Sequence, residues 1–131
     1  MPFGRVNGGK PLTLVQKSTA AIADGAVVKN SGSAPVGCVV ATTDATGICG
    51  LARYAGDNVI GAPVTVVQDG LYDGIAGGTI SIGDALMPTT AGSLIVITGT
   101  GTHYIVGYAE EAAVSGDRFS VRIQPGQLYL P

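Results

Sequence analysis

Apolar and polar positions alternate with a period of two through the last part of the chain. In Arg118-Phe119-Ser120-Val121-Arg122-Ile123-Gln124 the apolar residues share one face and the polar ones the other, which predicts a half-buried strand. Ser115-Gly116-Asp117 ahead of it reads as a turn. Residues 103–108 are rich in β-branched and aromatic side chains and predict another strand. Val64-Thr65-Val66-Val67 and Leu71-Tyr72-Asp73 flank Gln68-Asp69-Gly70, and Asp-Gly between two such runs predicts a hairpin. Residues 85–87 and 94–97 flank a loop ending in Ala91-Gly92, a second predicted hairpin. Further strands are expected within 26–29, 36–41, 47–54 and 79–82. Residues 109–114 and 19–24 have room for a turn or two of helix, but neither has the length or periodicity of a stable one. Many short strands at roughly ten-residue spacing predict an all-β protein, a compact small β-barrel, β-tulip or sandwich.

The first 17 residues break this pattern. Pro2, Gly4, Gly8 and Gly9 argue against a regular element, and Leu12-Thr13-Leu14-Val15 could then add as a strand, on this chain or on another. The organisation expected is an extended N-terminal arm, 1–17, followed by a single β-body, 18–131. A chain of 131 residues is long enough for one core of ordinary size.

Composition sharpens this picture. Charged residues are 12% of the chain, against about 25% in an ordinary soluble domain. So few charges leave much of the outside apolar, and part of it is expected to be covered by partners. The net charge of −2 is unevenly spread. Before Asp24 there are Arg5, Lys10 and Lys17 and no acid; from Asp24 onward nine acids face Lys29, Arg53, Arg118 and Arg122, a net of −5. This reads as a basic arm on an acidic body, although three charges are also few enough to fall this way by chance. No apolar run reaches the 18 residues of a membrane span, and the first ten residues hold no apolar segment of a secretory signal. Synthesis in the cytosol and no membrane partner are expected.

The chemistry-bearing residues are few. His103 is the one histidine; it opens an apolar strand and is expected to be half-exposed, and no G-x-S-x-G elbow accompanies Ser81 or Ser93 to suggest a triad. Cys38 and Cys49 with one histidine do not make a zinc pattern, and Asp69-x-x-x-Asp73-Gly74 lacks the spacing and terminal Glu of a calcium loop, so its Asp and Gly read as turn residues. Gly99-Thr100-Gly101-Thr102 precedes a strand, where a phosphate loop would precede a helix. On a hairpin turning near Thr43-Asp44 the two cysteines would face each other; buried free thiols are the expectation in a reducing cytosol. An acidic body with 5% aromatics and no Trp argues against nucleic acid. No enzyme activity and no cofactor or metal are expected.

One set of segments stands in an order that carries a resemblance. It runs Val59-Ile60-Gly61-Ala62-Pro63-Val64-Thr65-Val66, Ile82-Gly83-Asp84-Ala85-Leu86, Thr89-Thr90-Ala91-Gly92-Ser93-Leu94, residues 106–112, then Ser115-Gly116-Asp117-Arg118-Phe119 to Ile123. This succession, with an early strand entering at 27–40, resembles the decoration or cement proteins of phage capsids, the DUF2190-like family, over roughly 20–124. The resemblance implies a β-body on the outer surface of a phage head, made in the host cytoplasm, often a homotrimer, that stabilises the lattice of the major capsid protein. It has no catalytic motif to transfer. Within this reading the arm is the capsid contact, through Pro2, Phe3, Arg5, Val6, Lys10, Leu12, Leu14 and Lys17, while its glycines also suit a disordered terminus. The terminal Gln127-Leu128-Tyr129-Leu130-Pro131 is apolar and is expected to pack on the body or a neighbour. A carbohydrate-binding or adhesin module with a tyrosine-lined groove is the alternative, and a hydrolase using His103 a distant third.

Overall fold

Successive residues along several strands of this chain are buried on opposite faces, so the strands separate two cores. The computed structural model describes residues 11–16, 22–30, 37–41, 47–54, 60–89 and 92–131. Ten strands run through them: β1 (Pro11–Gln16), β2 (Val27–Asn30), β3 (Gly37–Val40), β4 (Ile48–Tyr54), β5 (Pro63–Val67), β6 (Gly70–Ile75), β7 (Ala85–Pro88), β8 (Leu94–Val96), β9 (Gly101–Ala109) and β10 (Arg118–Leu130). No α-helix occurs among the described residues, and 109–114 belongs to the end of β9 and the turn after it. The all-β expectation holds. Thr79–Ile82 is not a strand; only Ile80 pairs, in an isolated bridge to Ala113.

Strands β1, β3, β2, β4 and β5 close into a ring, with β1 parallel to β3 and antiparallel to β5. Strands β6, β10, β9, β7 and β8, in that order, make an antiparallel sheet beside it. Inside the ring Leu14, Ile22, Val28, Cys38, Ala52, Val64 and Val66 form one core. Val27, Leu51 and Val67, each next in sequence to a residue of that core, point outward and meet Leu86, Leu94, Val106, Phe119, Val121 and Ile123 of the second sheet. Two-sided burial explains why consecutive residues are apolar at Val27-Val28 of β2, Cys38-Val39-Val40 of β3 and Val66-Val67 of β5, where a strand with one wet face would alternate. A third, smaller cluster, Met87, Ile97 and Ile105, lies against Tyr108, Leu128 and Leu130.

The predicted hairpin of 85–87 with 94–97 forms, with Leu86 opposite Val96 and Pro88 opposite Leu94. The one across Asp69-Gly70 does not. Strand β5 uses both edges to close the ring, against β1 and β4, so β6 has no place beside it and pairs instead with β10. Gly70, at φ 86°, turns the chain from one sheet to the other. Asp73-Gly74 is likewise not a turn but the interior of β6, where a Cβ on Gly74 would stand 2.5 Å from Leu94 Cδ1.

The opposed arrangement of Cys38 and Cys49 is also corrected. Strand β2 lies between β3 and β4, pairing with both, so the backbones carrying Cys38 and Cys49 are two strand spacings apart, about 9–10 Å. A disulfide needs Cα atoms within about 7 Å. Both cysteines are free, Cys38 buried and Cys49 half-buried. Burial, with the charge of Cys49 adding to it, pushes the Cys38 thiol up to about 11; burial also raises that of Cys49.

Candidate interaction surface

The junction of the two sheets is held by a polar cluster around Asp24. The turn Ala23-Asp24-Gly25-Ala26, closed by Ala26 N–H donating to Ala23 O at 3.0 Å, precedes β2. Gly25 adopts φ 87°, and a Cβ there would come within 2.7 Å of the Asp73 carbonyl, so the turn approaches β6 as no larger residue could. Asp24 Oδ1 accepts from the Tyr72 hydroxyl at 2.7 Å, and Oδ2 from Arg118 Nη2 at 2.9 Å. Burial, reinforced by the hydrogen bond to the Asp24 carboxylate and by its charge, pushes the Tyr72 phenol up to about 12. The cluster pairs its charges with one another and serves as a fastening between the sheets.

Two turns share one construction. In Ser81-Ile82-Gly83-Asp84 and Val114-Ser115-Gly116-Asp117 the fourth residue's N–H donates to the first residue's carbonyl, at 3.1 and 3.0 Å. Each Asp carboxylate accepts the N–H of the first residue, from Ser81 at 2.8 Å and from Val114 at 3.1 Å. Gly83 and Gly116 take φ 89° and 92°, as the third position of a type II turn requires. The repeated Gly-Asp of the sequence is therefore turn chemistry. Ile82 and Val114, in these turns, are exposed. Nearby, Arg122 donates through Nε and Nη2 to the two carboxylate oxygens of Glu110 at 3.1 and 3.2 Å, which lowers the Glu110 pKa below its ordinary value.

The other end of the second sheet has a different character. From Ala85 to Ala109, and again from Ile123 to Pro131, no Asp, Glu, Lys or Arg occurs. These residues supply β7, β8, β9 and the last part of β10. Strand β10 absorbs Pro125 through a register shift between Ile123 and Gly126, which keeps it paired with β9 as far as Leu130. Beside this bulge a cleft of about 230 Å³ opens between the ribbon and the start of β4, with Ile48, Tyr104, Pro125, Gly126 and Gln127 among its walls. Tyr129 lies two residues beyond Gln127 on the same face and is 65% exposed. The predicted packing of the C-terminal segment on the body is thus partly met: Leu128 and Leu130 lie against the third cluster while Tyr129 faces outward.

The arm residues divide. Pro2, Phe3, Arg5, Val6, Lys10 and Lys17 lie outside the described residues. Leu12 and Leu14 stand in β1, opposite Val66 and Val64, and Leu14 is 7% exposed within the ring's core. Leu12-Thr13-Leu14-Val15 therefore adds as a strand of its own body. His103 is buried, not half-exposed, and its Nε2–H donates to the Gly99 carbonyl at 3.0 Å. Ser93 Oγ lies 3.0 Å from Thr89 Oγ1. Among the described residues no three His, Cys, Asp or Glu side chains gather as metal ligands would, and no helix is long and apolar enough to cross a membrane. The walls of the cleft come from segments far apart in sequence; Pro125-Gly126 between Gln124 and Gln127 is the one local sign of a bulge.

The comparisons with known proteins agree with this architecture. A family model described as phage cement protein matches residues 6–125. Among solved structures, the head fiber gp8.5 N base of bacteriophage phi29 shares the fold, with a TM-score of 0.62 at 20% sequence identity, over 91% of this chain and 97% of that one. No curated protein matches the chain.

Proposed function

The chain belongs to the phage cement protein family, and on that premise we propose that it sits as a homotrimer on the outer surface of a phage head and stabilises the lattice of the major capsid protein. The match across residues 6–125 carries the reading and supports a structural role in the virion over an enzymatic one. The phi29 neighbour, described as the base of a head fiber, supports a place on a head.

Physical features suit the role. A low-charge exterior can be covered by subunits and shell without stripping water from many ions. Many symmetric copies turn a modest single-site affinity into firm attachment. The contact arm is residues 2–10, with Arg5 and Lys10 meeting acidic groups of the shell and Lys17 adding to them beyond β1. Leu12 and Leu14 act by anchoring the arm, because β1 belongs to the ring. The protein is made in the host cytoplasm and needs no cofactor.

Co-sedimentation with expanded, undecorated heads tests this. Saturable binding at a copy number matching the three-fold positions is expected, and absence of binding would overturn the reading. Deleting 1–10 should weaken binding and keep the fold. Deleting 1–17 would instead remove a ring strand, so the shorter deletion separates docking from folding.

A further inference from the structure

We propose that one face of the β9–β10 ribbon, with Tyr104, Gln127 and Tyr129 beside the cleft at Gly126, binds a sugar residue of a neutral oligosaccharide. This activity is separate from head binding and does not depend on it.

Strand register assembles the site. Tyr104 of β9 stands opposite Gln127 of β10, and Thr102 stands opposite Tyr129, so all four share one face of the ribbon. The two tyrosines are diagonal neighbours on that face, about 7–8 Å apart. The Gln127 amide adjoins both. Tyr104 forms part of the cleft wall, across from Ile48, while Tyr129 is 65% exposed beside it. Gly126 puts no side chain into the cleft, and a Cβ there would meet nothing within 4 Å. The space of about 230 Å³ is larger than the roughly 150 Å³ of a protein cavity that takes benzene, so a six-membered ring with its substituents fits.

Hydrogen-bonding chemistry selects the ligand. The tyrosine and Thr102 hydroxyls and the Gln127 amide each donate and accept. Sugar hydroxyls do the same, and the C–H face of a sugar ring lies on the apolar body of an aromatic side chain. A purely apolar ligand would cover the Gln127 amide without a partner for it. A cationic ligand would find no carboxylate among the cleft walls and would meet Lys29, which stands opposite Ile48 on β2 and shares its face. An anion would have that one ammonium and no guanidinium fork among the walls. Toward a sugar, Lys29 is one more donor. A proline-rich peptide docks along an extended aromatic groove, whereas here a single ring-sized cleft adjoins a single exposed ring.

Saturation-transfer NMR of the full chain, without heads, tests this with maltotriose, cellotriose, mannotriose and the N-acetylglucosamine trimer at millimolar concentration. Transfer to the ring C–H protons of at least one of these sugars is expected. Tyr129→Ala, which removes an exposed side chain and leaves the core intact, should weaken that binding about tenfold or more, the loss of a stacked aromatic. Gly126→Leu should do the same by filling the cleft. Gln127→Leu keeps apolar surface and removes the amide, so it should also weaken binding. No transfer to any of these sugars would overturn the proposal, as would Tyr129→Ala or Gln127→Leu binding as wild type does, or a proline-rich peptide displacing the sugar at lower concentration than the sugar itself requires. A chain that binds heads but none of the sugars would sink this inference alone; one that binds a sugar through Tyr129 and ignores heads would spare it and sink the head-binding reading.

Discussion

Asp24, in the turn before β2, accepts a 2.7 Å hydrogen bond from Tyr72 on β6 and so fastens the ring to the second sheet. The same carboxylate receives Arg118 of β10, but that pair is exposed at 43% on each side and is worth at most about 1 kcal/mol. The phenol is the stronger tie. Tyr72→Phe should lower unfolding free energy by ~1 kcal/mol, and Asp24→Ala by ~1–2 kcal/mol because it also takes the carboxylate partner from Arg118, which keeps only the Asp73 carbonyl. Urea unfolding at neutral pH checks both.

Alkali should act on the same bond. The Tyr72 phenol rises from its ordinary 10.0 to about 12 in the folded chain. Its contribution is therefore complete below pH 10.0 and is lost as pH rises through about 12. Denaturation across that window should show wild type losing stability faster than Tyr72→Phe. Parallel curves would contradict the assignment.

Glycine contacts divide tolerant from intolerant positions. A Cβ on Gly107 would collide with the Arg122 carbonyl of the paired strand, and one on Gly50 with the Val67 carbonyl. Either change to Ala should cost more than about 3 kcal/mol, since backbone must move. Gly126→Ala, with open space around it, should stay within about 0.5 kcal/mol of wild type. Thermal melting of the three variants distinguishes these outcomes.

Phe119 is 1% exposed at the centre of the core between ring and sheet. Truncation to Ala should cost ~3–5 kcal/mol through lost burial and the cavity left behind. Chemical denaturation measures it, and a loss below 1.5 kcal/mol, the order of one or two methylenes, would mean the core collapses onto the gap.

Thiol labelling reads the ring directly. Cys38 is buried with its thiol held at about 11, and Cys49 is half-buried and also raised, so few thiolates exist near neutrality. Native protein should react slowly with iodoacetamide, Cys49 before Cys38, and both should react quickly in denaturant. Mild oxidation should leave the folded monomer without an internal disulfide, as mass spectrometry would show.

Local residue patterns determined most of the strands, but not 79–82, where only Ile80 pairs, nor the course of β6 through Asp73-Gly74. Alternation in 118–124, the β-branched run 103–108 and the loop before Gly92 mark β10, β9 and the β7–β8 hairpin because each depends on neighbours a few positions away. The same is true of the two Gly-Asp turns, whose backbone demands are met within four residues. The ordered segments also carried the family. Partner choice was beyond such patterns: β6 left β5, and β2 entered between the cysteine strands, because ring closure had already used the edges that sequence neighbours would have shared. Leu14 became core by the same closure. The cleft beside Gly126 depends on β4 meeting the β10 bulge, a contact between segments about 80 residues apart whose formation rests on tertiary packing and not on local preference.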